Sequence, residues 1–202
     1  MYLEHAQDVL GQWLDWRRES KTALVIVTAT EGGAVRMPGA LMAVSATGDR
    51  CGYISGGCID ADVAHHARQA LSTGRVKRLR YGKGSPFIDL PLPCGGAIDV
   101  CVLPNAQVSV LRACHDQLAS RQPVSITLSD SGSLGLGHVP TPGALSFQYI
   151  PKLRLRIAGR GADSLALVRL ATASGIHTEL QLRDAAEAQD AQRLGIGHVT
   201  LL

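Results

Sequence analysis

The stretch YISGGCIDADV, residues 53–63, decides how the chain is read. It passes from an extended segment, through two glycines and a cysteine, into a helical pattern with Asp60 and Asp62 in the first turn. Ile59, Val63, Ala67, Ala70 and Leu71 keep helical spacing, and Gly74 stands just past their end. A strand feeding a helix through a glycine turn is α/β grammar. Glycines let a backbone approach a ligand and reach positive φ. A helix start leaves unpaired N–H groups and a partial positive charge. Gly56, Gly57 and Cys58 therefore form a candidate anion site, where a thiol is expected to ionise more readily than a free one. The alternative is a tight strand-to-helix turn with a small buried cysteine.

A second stretch, LPLPCGGAIDVCVL (residues 90–103), carries the same residue types in reversed order. Cys94, Gly95 and Gly96 could face the same cleft as Cys58. Zinc-type spacing is absent, because Cys51 and Cys58, like Cys94 and Cys101, are separated by six residues rather than the usual two to four. Cys101 falls mid-strand and Cys114 mid-helix, which are core positions. His65, His66, Asp60 and Asp62 could serve as a base for a cysteine hydrolase, but no local signature links them to the thiol.

Outward from these stretches, the 202 residues suit one large domain or two small ones, and 46% hydrophobic content supports a core. The net charge of +3 and 4% aromatic content do not describe a nucleic-acid surface. No 18-residue apolar run and no signal peptide are read, so the expectation is a cytoplasmic protein without disulfides. Helices are predicted over 3–18, 58–71 and 106–122, and strands over 23–30, 76–81, 97–103 and 124–129. A hairpin is predicted over 41–55 with Thr47, Gly48 and Asp49 at its tip. The alternating Arg and Lys of 75–83 read first as a solvated strand face. The Gly/Ser/Pro-rich segment 130–143 is either a linker or a hairpin to LSFQYI (145–150). After Pro151 the pattern is strand, glycine turn, helix, strand, helix, strand, a βαβαβ unit.

TEGGAVRMPGALMAV (30–44), GYISGGCIDADV (52–63), LRYG (79–82) and LPCGGAIDV (92–100), in that order, resemble the XdhC/CoxI family of accessory proteins for molybdenum hydroxylases. The loop 33–39 departs from the family's usual Gly-Ser-x-Pro-Arg pattern. The resemblance implies a maturation factor rather than a turnover enzyme. Such a factor would bind the molybdenum cofactor (molybdopterin) and deliver it to an apo-hydroxylase of the xanthine or aldehyde dehydrogenase type. Gly56, Gly57, Cys58, Cys94, Gly95, Gly96 and Arg36 would bind it, with Cys58 or Cys94 as molybdenum contacts. A cysteine desulfurase and a second copy of the chain are further candidate partners; neither nucleic acid nor membrane is expected. Arg36 could equally be an exposed loop arginine.

The fold implied is α/β: a mixed α/β domain over 1–130, a linker or hairpin over 131–151, and a partial Rossmann-like unit over 152–202. There, GRGADS (159–164) supplies Gly159 and Gly161 of a dinucleotide fingerprint, with Ser164 replacing the third glycine. The acid expected at the end of the next strand is displaced to Asp184, so NAD(P) is set beside a purely structural βαβ unit. Two alternatives follow: an NAD(P)-dependent oxidoreductase, and a truncated relative that binds nothing.

Overall fold

The computed structural model describes residues 5–86, 92, 95–137 and 142–201. The chain divides into two units, Met1–Pro151 and Lys152–Leu202. The first unit runs α1 (Ala6–Glu19), β1 (Thr22–Glu31), β2 (Leu41–Ser45), β3 (Arg50–Gly52), α2 (Asp60–Thr73), β4 (Lys77–Gly82), β5 (Ala97–Leu103), α3 (Val108–Ala119), β6 (Val124–Leu128), β7 (Leu134–Leu136) and β8 (Leu145–Tyr149). β3-β2-β1-β5-β4 form an antiparallel sheet with β1 at its centre.

That central place explains the run ALVIV, which shows no polar alternation because both faces of β1 are covered. Ala23, Val25 and Val27 pack with Val63, Ala67, Ala70 and Leu71 of α2. Leu24 and Ile26 point the other way, into a core with Val9, Leu10 and Trp13 of α1, Leu111, Cys114 and Leu118 of α3, and Phe147 and Tyr149 of β8. Gly74 ends α2 at φ 68° and donates its N–H to the Ala70 carbonyl, the left-handed cap that glycine adopts without a Cβ penalty.

Several boundaries differ from the sequence expectation. α1 begins at Ala6, where the His5 ring nitrogen accepts the Gln7 amide at 3.2 Å. Cys58 and Ile59 precede α2 rather than belonging to it, and α3 is shorter at both ends than 106–122. The segment after β6 turns back as β7 on one edge of β6, and β8 pairs with the opposite edge. LSFQYI therefore pairs antiparallel with β6, as the hairpin alternative expects, with β7 added within the connection. Arg80 lies on the solvated face of β4, opposite buried Leu79 and Tyr81, and is paired there. It donates to Asp99 at 2.7 Å, Glu31 at 2.5 Å and the Lys83 carbonyl at 2.9 Å, which holds the Glu31 carboxyl below its ordinary range, first through that hydrogen bond and then through charge.

The second unit runs β9 (Arg154–Ala158), α4 (Gly161–Ala173), β10 (His177–Leu182), α5 (Ala185–Arg193) and β11 (Val199–Leu201). Its parallel sheet has the order β11-β10-β9, with a helix in each connection. This is the α/β reading of 152–202, and it matches the strand order of the first half of a doubly wound sheet. Val168, Ala171, Leu180, Leu182, Ala188 and Ala191 form its core. No helix among the described residues is long and apolar enough to cross a membrane.

Candidate functional site

Strand direction assembles the site. β1, β3 and β4 end, and β2 and β5 begin, at the same end of the five-stranded sheet, as the pairs Met42↔Gly52, Glu31↔Ala97 and Gly82↔Ala97 require. Three connections leave from that end: 32–40, 53–59 and 83–96. They touch. The Arg36 guanidinium lies over the Tyr53 ring, 4.8 Å from its centroid. A Cβ on Gly56 would stand 3.5 Å from Val35. A Cβ on Gly32 would stand 3.2 Å from the Gly96 backbone. The first connection is also anchored from behind, where the buried Tyr149 hydroxyl donates to the Gly39 carbonyl at 2.9 Å.

Gly56, Gly57 and Cys58 are exposed, so the alternative of a small buried cysteine fails for Cys58. What holds the loop is a residue the sequence reading passed over as a first-turn acid. Asp60 is 5% exposed. Its Oδ1 accepts the amides of Ile54 at 2.7 Å and Ser55 at 3.4 Å; its Oδ2 accepts the Gly57 amide at 2.7 Å and the Ser55 hydroxyl. Ser55 Oγ in turn accepts the Ile59 amide at 3.0 Å. Much of the donor set expected to face a ligand thus already faces an internal carboxylate. The signal was available: an Asp three residues after a glycine pair, with a Ser five residues before it, can reach back to the loop's own backbone.

The glycines divide by what surrounds them. Gly57 (φ 116°) and Gly95 (φ 68°) have no described atom within 4 Å of where a Cβ would stand, although their amides already donate to Asp60 and to the Leu92 carbonyl. A Cβ on Gly96 would overlap the Glu31 carbonyl oxygen, so close backbone packing demands glycine there. Arg36 lines a cleft of 340 Å³ with His5, Pro38, Gln148 and Tyr149; Cys58 is not among its lining residues. Cys94 lies outside the described residues. Cys51, Cys101 and Cys114 are buried free thiols. Burial pushes Cys114 up to about 12 and raises Cys101 and Cys51 above their ordinary value. Among the described residues no group of three or more His, Cys, Asp or Glu side chains is placed to hold a metal ion.

Next to the loop, in the first turn of α2, Asp62 accepts the Tyr81 hydroxyl at 2.6 Å and stands 3.5 Å from His66 Nε2. Burial, together with the Asp62 hydrogen bond and charge, pushes the Tyr81 phenol above its ordinary range. Sequence reading missed this chain of groups because its members lie on a helix and a strand 19 residues apart.

In the second unit, Gly161 opens α4 at φ 77° with open space beside it, while Gly159 abuts the Ser164 hydroxyl. Ser164 is tolerated in the third fingerprint position because Gly159 yields the room.

A model of the XdhC and CoxI family matches residues 15–82. The chain is 35% identical over 165 residues to the molybdenum cofactor insertion chaperone PaoD of Escherichia coli (strain K12). That match takes in 77% of this chain and 52% of PaoD, so the chain spans about half the length of this curated relative. A crystal structure described as a xanthine dehydrogenase from Bacillus halodurans aligns with a TM-score of 0.77 at 21% identity, over 98% of this chain and 68% of the other; that likeness speaks for the fold alone. With the glycine–cysteine loops, the matched residues and the extended identity to PaoD together, this chain is similar to members of the XdhC and CoxI family.

Proposed function

We propose that this protein binds the molybdenum cofactor as cargo and delivers it to a molybdenum hydroxylase of the xanthine dehydrogenase type. The observation that carries the reading is the convergence of the 32–40, 53–59 and 83–96 connections at one sheet end, with an exposed thiol and open space beside Gly57 and Gly95 in a chain similar to a cofactor insertion chaperone.

The residues fit such a cargo. A pterin with a phosphate and a dithiolene-bound molybdenum needs a flat approach, an anion contact and a soft ligand. Gly57 and Gly95 leave open space where a side chain would stand, so a flat ligand can approach their Cα atoms even though their amides are already paired. Arg36, held on the Tyr53 face, supplies a cation whose planar fork suits phosphate. Cys58 is exposed, so its sulfur can approach molybdenum; Cys94 joins it on sequence position alone. Gly56 and Gly96 shape the loops. In this reading Asp60 keeps the loop in one conformation before the cargo arrives, which lowers the ordering cost of binding. The cytoplasm is the expected compartment, and a cysteine desulfurase that supplies the cofactor's terminal sulfur is an expected partner.

The test is anaerobic incubation with purified molybdenum cofactor, gel filtration, and measurement of retained molybdenum and of pterin fluorescence. Wild type should retain both, and Cys58→Ala and Cys94→Ala should each lower retention severalfold. No retention by wild type overturns the reading. Unchanged retention in both variants removes the thiols from it.

A further inference from the structure

The second unit holds a cleft of 770 Å³ that the proposed function does not use. It lies where β9 and β10 end, and Gly159, Arg160, Gln181, Arg183, Asp184 and Glu187 line it. In open parallel α/β sheets, ligands bind beyond the carboxyl ends of the strands, and the end of the second strand reads the ribose of a nucleotide.

The charges there sort themselves. Arg160 pairs with Glu187 at 3.3 Å. Asp184, the acid nearest the end of β10, caps α5 instead of facing a ribose: its Oδ1 accepts the amides of Ala186 at 2.7 Å and Glu187 at 3.4 Å. Arg183, directly after β10, is exposed and has no charged partner among the described residues. Asp163, in the first turn of α4, does not line the cleft. The unspent charge is therefore a cation, at the place where a dinucleotide site usually puts an acid. A guanidinium rejects no ribose, but it rewards a phosphate on one.

We propose that this cleft binds a nucleotide carrying a phosphate on the adenosine ribose, the chemistry of NADP rather than NAD, with Arg183 as the residue that recognises that phosphate. Gly159 keeps β9 and α4 close, since a Cβ there would strike the Ser164 hydroxyl. The open backbone at Gly161 gives the pyrophosphate access to the start of α4. This inference stands on the second unit alone and is independent of how the first unit handles its cargo.

The test is calorimetric titration of the full chain with NADP⁺, NAD⁺, adenosine 2′,5′-bisphosphate and AMP. Wild type should bind the two 2′-phosphorylated ligands about tenfold to a hundredfold more tightly than their counterparts, the range for hydrogen bonds to a charged group. Arg183→Gln should bring each pair to within about twofold while leaving NAD⁺ affinity unchanged, and Arg183→Lys should restore part of the preference. Because Arg183 is exposed, the variants should keep the wild-type circular dichroism. Equal affinities in wild type, a preference that survives Arg183→Gln, or no binding of any of the four would each overturn the proposal.

Discussion

Replacing Asp60 with alanine probes the site at its foundation. The carboxylate is buried and accepts from Ile54 N–H, Ser55 N–H, Gly57 N–H and the Ser55 hydroxyl. Gly57 is exposed, so its amide can turn to water. Ile54 and Ser55 are buried, at 0% and 5% exposure, and cannot. Orphaning the two buried amides, Ile54 N–H and Ser55 N–H, costs about 1–3 kcal/mol each, so Asp60→Ala should cost about 2–6 kcal/mol before the Ser55 hydroxyl is counted. Asp60→Asn keeps one oxygen for the Ile54 amide but turns an NH₂ toward another donor; about half that loss is expected. Both tryptophans, Trp13 and Trp16, lie on α1. Urea unfolding followed by their fluorescence therefore reports the first unit alone, which a two-state analysis needs in a chain of two units. Hydrogen exchange at the Ile54 amide reads the loop directly. An Asp60→Ala protein within about 0.5 kcal/mol of wild type, the range of inconsequential surface changes, with Ile54 still protected, would refute the account of the loop.

Three other outcomes follow from the same geometry. Gly95→Ala should cost only the strain of its left-handed backbone, about 1–2 kcal/mol, whereas Gly96→Ala must push against the Glu31 carbonyl and should cost about 3 kcal/mol or more; equal losses in urea unfolding would contradict the division between open and packed glycines. In the folded protein at neutral pH, an alkylating reagent should modify Cys58 well before Cys51, Cys101 or Cys114; peptide mapping that finds Cys101 or Cys114 equally fast would contradict their burial. The Glu31 carboxyl should titrate below the ordinary carboxylate range. Its pairing with Arg80 then stabilises the fold fully above the unfolded-state pKa and loses that effect as pH falls through the lowered folded value. Carboxyl carbon NMR reads this titration, and Arg80→Gln should return it to the ordinary range.

Much of the architecture could be read directly. Helical spacing marked α1 and α2, Gly74 marked the end of α2, and the glycine turn at 159–161 marked a βαβ unit. These are local signals, set by backbone conformation and by which side of one element is apolar. The partners of each element were not readable. Nothing in 130–143 says that β7 will occupy the second edge of β6 inside the hairpin to LSFQYI, and nothing in VKRLRY says that Arg80 will bridge Glu31 and Asp99.

The site divides along the same line. The chain's own residues determined that Gly56, Gly57 and Cys58 form a turn between strand and helix, and that a second glycine–cysteine turn precedes β5. Tertiary structure decided what those turns are for each other: which end of the sheet they share, that Gly96 serves backbone packing while the space beside Gly95 stays open, and that Asp60 rather than a ligand takes the loop's amides. A local pattern specifies conformation one element at a time. Contact between residues 31 and 96, or between Tyr81 and Asp62, arises only when both faces of β1 are buried at once, because that burial fixes strand order and register.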